Sequence, residues 1–213
     1  MAAIRKDDYA YPEAAQKNEA MTEITQSGRM RYSEAAYLAL EEASGFKHEY
    51  MAGEIYAMAG ASLNHNRIVT AISGLLYNRL GDHCEHFSSD MKVRVEATAT
   101  NAYPDVVVVC GEPTFMQERP DTLTNPTVLF EVLSPSTADY DRGRKFEDYR
   151  LLDSLQEYVI VAQDKTHIEH YTRQQDGSWL LKDINAPDAT LTLAAIDCEL
   201  PLADIYAKVN FEG

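Results

Sequence analysis

Along the chain, apolar residues recur at helical spacing in a few stretches and at strand spacing in most of the rest. Between 64 and 80, Ile68, Ile72, Leu75, Leu76 and Leu80 share one face and Gly81 stops the run, which predicts an amphipathic helix. A shorter helix is predicted from Ser33, a good N-cap residue, through about Ala43, closed by Gly45. From Phe46 the period changes to two. Phe46, His48 and Tyr50 alternate with Lys47, Glu49 and Met51, and Ala52-Gly53 turns the chain into Glu54-Ile55-Tyr56, a strand and hairpin signal. Met91, Val93 and Val95 alternate with Asp90, Lys92, Arg94 and Glu96, the pattern of a strand with one wet face. Val106–Val109 is a continuous β-branched run, which marks a strand buried on both faces, and Val128–Leu133 is another strand. A charged helix is predicted over 139–152 with Phe146 and Tyr149 facing inward, then strands over 157–162, 167–172 and 178–184, and a short closing helix over 202–209. This order predicts an α/β fold, a mixed sheet with helices packed on it.

Residues 1–28 are polar and aperiodic and end in Gln26-Ser27-Gly28; they read as a flexible tail, leaving 29–213 as a single domain. No stretch approaches the ~20 apolar residues of a membrane span, and the N-terminus lacks the apolar run of a signal peptide. A soluble, cytoplasmic protein without a membrane partner is therefore expected. Cys84, Cys110 and Cys198 lie far apart without metal-motif spacing. Cys110, ending a valine run, reads as a small buried hydrophobe, and the odd, sparse count fits a reducing compartment.

Charge changes the picture next. Asp plus Glu number 34 and Lys plus Arg 19, a formal charge of −15. That counts against a nucleic-acid binder relying on bulk positive charge, but not against one with a local basic patch. Residues 134–150 form such a locally permissive segment: Arg142, Arg144, Lys145 and Arg150 balance Asp139, Asp141, Glu147 and Asp148.

Two carboxylates stand where hydrophobic patterning would not put them. Asp105 opens the valine run directly after Pro104, and Glu131 sits inside Val128-Leu129-Phe130-Glu131-Val132-Leu133. A buried, unpaired carboxylate costs several kcal/mol or neutralises itself, so each needs a partner. Asp105 alone reads as well as a strand-start turn cap, and Glu131 as well as half of a salt bridge with Arg142 or Arg144. Together, at one end of adjacent strands, they make a hard oxygen site suited to Mg²⁺ or Mn²⁺. Glu49, on an early strand, is a third candidate or a solvent-facing residue. His65 either approaches this site from its helix or is a helix-start histidine satisfied by backbone, the plainer reading.

Six segments then carry a resemblance: His48-Glu49-Tyr50-Met51-Ala52-Gly53-Glu54, Asn64-His65-Asn66-Arg67-Ile68-Val69, Tyr103-Pro104-Asp105-Val106-Val107-Val108-Val109, Phe130-Glu131-Val132-Leu133-Ser134-Pro135-Ser136-Thr137, Asp141-Arg142-Gly143-Arg144-Lys145 and Glu157-Tyr158-Val159-Ile160-Val161. In this order and spacing, over about residues 29–175, the chain resembles the Uma2 endonuclease family within the PD-(D/E)XK restriction-endonuclease-like group. The resemblance implies a restriction-endonuclease-like core, a central mixed β-sheet flanked by helices with extra antiparallel strands. It implies a catalytic set of Glu49, Asp105, Glu131 and Lys145. Mg²⁺ or Mn²⁺ would be held by Asp105, Glu131 and the Val132 carbonyl. The group's usual lysine two residues after the strand glutamate is Leu133 here, and Lys145 on the next helix is the matching candidate. Lys92, Arg94, Arg142 and Arg144 are candidates for backbone phosphate contacts, which position without reading sequence. The implied partners are nucleic acid, DNA foremost, and a second copy of the chain in a homodimer. Leu133 and the overall charge also fit a catalytically weakened binding or regulatory module, and a metal-dependent hydrolase of small phosphoesters is a third reading.

Overall fold

The structure is a computed structural model that describes residues 3–5, 21–24 and 30–211, apart from 59, 118 and 135–137. The chain begins with β1 (Ala3–Arg5), β2 (Met21–Ile24), β3 (Met30–Tyr32), α1 (Glu34–Ala43), the hairpin β4 (His48–Met51) and β5 (Glu54–Met58), and α2 (Leu63–Arg79). A strand-rich middle follows: β6 (Cys84–Ser88), β7 (Lys92–Val95), β8 (Thr100–Ala102), β9 (Val106–Cys110), β10 (Phe115–Met116), β11 (Arg119–Leu123) and β12 (Val128–Val132). Helices α3 (Ala138–Tyr140) and α4 (Phe146–Tyr149) are joined by a π-helical turn, Asp141–Lys145. The strands β13 (Glu157–Val161), β14 (Ile168–Arg173), β15 (Trp179–Ile184), β16 (Thr190–Leu193) and β17 (Cys198–Pro201) lead to α5 (Leu202–Ile205).

Local chemistry accounts for the boundaries. Ser33 caps α1 by accepting the Ala36 N–H at 3.1 Å, and Ser62 caps α2 by accepting the His65 N–H at 3.1 Å. Ala52 and Gly53 both have positive φ, 47° and 86°, the twist a two-residue hairpin needs between β4 and β5.

A six-stranded sheet ordered β15-β14-β13-β12-β9-β6 forms the centre, with only β12 and β13 parallel. One face carries α2, whose Ile68, Ile72 and Leu76 pack on Val106, Phe130 and Val159. The other packs Val107, Leu129 and Ile160 against Val93, Val95 and Leu123 of a seven-stranded sheet ordered β1-β5-β4-β8-β7-β11-β10. Double coverage explains why β9 and β12 read as continuous apolar runs. The same layer corrects the expectation for β7. All four of its residues are buried, because its supposedly wet face is closed over by protein.

The charged helix spans 138–149 rather than 139–152 and holds the π turn, with Tyr149 buried as expected. The stretch 1–28 lies mostly outside the described residues; of it, β1 pairs antiparallel with β5 and β2 with β3. Ser134 is described, while Pro135, Ser136 and Thr137 lie outside the described residues. The cysteine reading is overturned. Cys84 and Cys110 face each other across β6 and β9 and are joined by a disulfide, whereas Cys198 is buried and free. The count-based argument for a reducing compartment loses its footing with them. No helix among the described residues is long and apolar enough to cross a membrane.

Candidate active site

The site forms where β9 and β12 end out of step. The ladder between them closes at Phe130 opposite Val106, yet β12 runs on to Val132. Asp105 fills the gap. Its own N–H donates to the Phe130 carbonyl at 3.0 Å, and its Oδ2 accepts the Val132 N–H at 2.7 Å, the place a carbonyl would otherwise take. His65, in the first turn of α2, brings Nε2 to 3.1 Å from the same oxygen. Of the two readings of His65, the approach to the carboxylates is the one realised.

Glu131 meets a cation from the following helix. Lys145 Nζ lies 3.0 Å from Glu131 Oε1 and 3.0 Å from Glu49 Oε1, with Asp141 Oδ1 at 3.5 Å. The Tyr149 hydroxyl donates to Glu131 Oε1 at 3.1 Å, and the Tyr103 N–H to Glu49 Oε1 at 2.9 Å. Glu49, His65, Asp105, Glu131, Asp141 and Lys145 are all buried. Each carboxylate is thus taken from water with a charged or hydrogen-bonding partner beside it, as burial requires. Asp141 and Lys145 stand at the two ends of the π turn, and both are buried on the same face of the helix.

Burial lifts the Glu131 carboxyl well above the usual carboxylate range; the Lys145 ammonium opposes this, and Asp141, Asp105 and Glu49 add to it. For Lys145, burial pulls downward, but the charges of Glu131 and Glu49 outweigh it and its pKa stands well above the ordinary lysine range. Burial and Glu131 push the Tyr149 hydroxyl up in the same way. Lys145 is therefore an ammonium held inside a ring of carboxylates, suited to stabilising negative charge rather than to accepting a proton.

The sequence-predicted residues divide cleanly. Glu49, Asp105, Glu131 and Lys145 come together. Neither Arg142 nor Arg144 bridges Glu131; they pair with Glu169 at 2.7 Å and Glu54 at 3.0 Å, with side chains 37% and 38% exposed. Lys92 and Arg94 are corrected. Lys92 is fully buried between the rings of Tyr37 and Tyr103, 5.5 and 5.3 Å from Nζ, with Asp121 at 3.8 Å. Arg94 is buried between Glu34 and Glu96. Cations sealed inside the protein by its own acids and rings are not open to phosphate. The residues missed were Tyr149 and Asp141 as partners of this cluster. Their signal was present in the spacing, since Asp141, Lys145 and Tyr149 recur every four residues on one helix face.

The donor set fits a hard divalent cation. Among the described residues, every hydrogen bond to Asp105 falls on Oδ2 and every one to Glu131 on Oε1, leaving Oδ1 and Oε2 as oxygen donors.

A mixed sheet flanked by helices, with these carboxylates where the central strands end, belongs to the restriction-endonuclease-like fold class. A solved structure titled as that of "a putative nuclease belonging to DUF820" from Anabaena variabilis shares the fold, with a TM-score of 0.57 at 18% identity, covering 77% of this chain and 92% of that one. The model of the Uma2 family, described as "Putative restriction endonuclease", matches residues 35–203, and the chain belongs to this family. Two proteins of Synechocystis sp., both described as uncharacterized, are relatives. One is 40% identical over 158 residues, 74% of this chain and 89% of its own length; the other is 39% identical over 184 residues, 85% and 94%.

Proposed function

We propose that the chain is a metal-dependent endonuclease that hydrolyses phosphodiester bonds in nucleic acid, with DNA as the leading substrate. The observation that carries this is the meeting, in one buried cluster, of Asp105, Glu131, Glu49 and Lys145 from four separate segments. Asp105, Glu131 and the Val132 carbonyl would hold Mg²⁺ or Mn²⁺, which supplies Lewis-acid polarisation of the phosphate and lowers the pKa of a bound water. Asp105 is held in place by the Val132 N–H and His65, so its carboxylate is oriented before substrate arrives. Lys145, kept protonated by Glu131 and Glu49, offers its charge to the oxygens of the transferring phosphoryl group. Arg142 and Arg144 are half-exposed and can exchange Glu169 and Glu54 for backbone phosphates. A homodimer goes with this reading. It is supported by β15, an edge strand whose Leu180 and Leu181 are 58% and 45% exposed, and light scattering tests it.

The test is cleavage of plasmid and single-stranded DNA and of RNA with Mg²⁺ or Mn²⁺. Asp105→Ala and Glu131→Gln are expected to lose at least about 100-fold in rate, the scale of electrostatic stabilisation in such sites. No cleavage by the wild type on any nucleic acid, or equal cleavage by the variants, overturns the reading and leaves a binding module of the same fold.

A further inference from the structure

At the end of the six-stranded sheet opposite the carboxylates lies a second cluster. Cys84 opens β6 and Cys110 closes β9, and the Gly111 N–H donates to the His83 carbonyl at 2.7 Å. That bond flanks the Cys84–Cys110 rung, so the two cysteines form a non-hydrogen-bonded antiparallel pair, the rung where side chains stand closest; their Cα atoms are 4.0 Å apart. The His83 side chain lies on the same spot. One donor atom from each of His83, Cys84 and Cys110 falls within 4.8 Å of the other two, the one such set of three His, Cys, Asp or Glu donors among the described residues. Gly81 makes room for the ring, because a Cβ there would come 3.3 Å from His83 Nδ1. The cluster is independent of the Asp105 site, five residues along the extended β9 segment, roughly 17 Å away at strand rise.

Two sulfurs and an imidazole are soft to borderline donors, a poor match for Mg²⁺ and a good one for Zn²⁺, whose thiolate sites are tetrahedral. We propose that His83, Cys84 and Cys110 form a redox-gated Zn²⁺ site. The disulfide is the closed form. A dithiol reductant breaks the Sγ–Sγ bond, delivers two electrons and two protons to the sulfurs, and leaves as its own disulfide. Zn²⁺ then replaces the two thiol protons and takes Cys84 Sγ, Cys110 Sγ and a His83 ring nitrogen, with water as fourth ligand. The sulfurs need to part only to about 3.8 Å, the edge of a tetrahedron with ~2.3 Å arms, a separation that side-chain rotation on one rung supplies. His83 is exposed and Cys110 only partly buried, so the cation has a path in from solvent.

Co²⁺ titration of the full chain, with Zn²⁺ as competitor, tests this. Anaerobic protein reduced with an excess of a phosphine is expected to gain one tetrahedral Co²⁺, read by a thiolate-to-cobalt charge-transfer band and tetrahedral d–d bands, both erased by one equivalent of Zn²⁺. Air-oxidised protein gives neither. Cys84→Ser and Cys110→Ser lose the band. His83→Ala, an exposed position whose replacement leaves the fold intact, weakens Co²⁺ affinity at least tenfold. Cys198→Ser leaves the titration unchanged. Absence of the band in reduced wild type overturns the proposal, as does its persistence in either rung variant. So does an unaltered affinity in His83→Ala, or loss of the band in Cys198→Ser.

Discussion

Replacing Lys145 with Met keeps most of the side-chain volume and removes one buried charge. In the native chain that ammonium lies within 3.5 Å of Glu131, Glu49 and Asp141. Without it, buried carboxylates face one another with no cation among them. Breaking a buried ion pair by deleting one partner costs about 3–5 kcal/mol, most of it the stranded charge that remains. At about 2–4 °C per kcal/mol for a domain of this size, the midpoint of thermal unfolding falls by about 6–20 °C. Urea and thermal unfolding in chelator-containing buffer, followed by fluorescence of Trp179, measure the loss. The single tryptophan is a good reporter because it packs 5.3 Å from Phe146, the residue after Lys145. Adding Glu131→Gln to Lys145→Met is expected to return part of the stability, since one of the stranded charges goes with it. Mn²⁺ is expected to stabilise Lys145→Met more than wild type. A variant within about 1 kcal/mol of wild type, or losses that simply add in the double variant, would refute the view of Lys145 as the counter-ion of this cluster.

Two further outcomes are expected. Ile72→Ala opens a cavity between α2 and the central sheet, where Ile72 is fully buried, and should cost about 2–5 kcal/mol in urea unfolding with an unchanged m-value. Lys92→Met should stabilise the protein slightly at pH 7, because burial lowers the Lys92 pKa below the usual lysine value and so disfavours its charged form in the folded chain. The unfolded chain then holds more protons than the folded one as pH approaches about 10.4, so wild-type stability rises through that window. The advantage of Lys92→Met is therefore expected to shrink between pH 8 and pH 10 in paired melts, and a constant or growing difference would count against it.

The tests at Asp105 and at Cys84–Cys110 concern opposite ends of β9, and β9 itself shows how unevenly such information is written. Its valines announce a doubly covered strand, and Asp105 at its head is out of pattern for the same reason. Asp105 and Glu131 were legible because a carboxylate beside apolar strand residues is costly wherever the chain folds, whereas Glu49 alternates with apolar residues as a solvent-facing side chain does and entered the set through the resemblance. Lys145 was legible through the order of the motifs, which the resemblance supplied, and not through its own neighbours, where it looks like one more charge on a solvated helix.

Other features depended on contacts between distant segments. Lys92 and Arg94 alternate with valines as solvent-facing residues do, and period-two patterning carries no sign of a second layer closing over them. That layer is built from α1, β11 and the residue that follows β8, with Tyr37, Asp121 and Tyr103 surrounding Lys92. Cys84 and Cys110 are 26 residues apart, and nothing local says that β6 pairs with β9 in the register that puts them on one rung. His65 was ambiguous for the same cause, since its partner lies 40 residues away on another element. Element boundaries, the buried strands and the anomalous carboxylates follow from each residue's own transfer free energy and spacing, which are properties of the linear chain. The partners that neutralise those carboxylates, bury the two basic residues and join the two cysteines follow from strand order and layer packing. Those emerge only when the folded chain brings separate elements within a few ångströms.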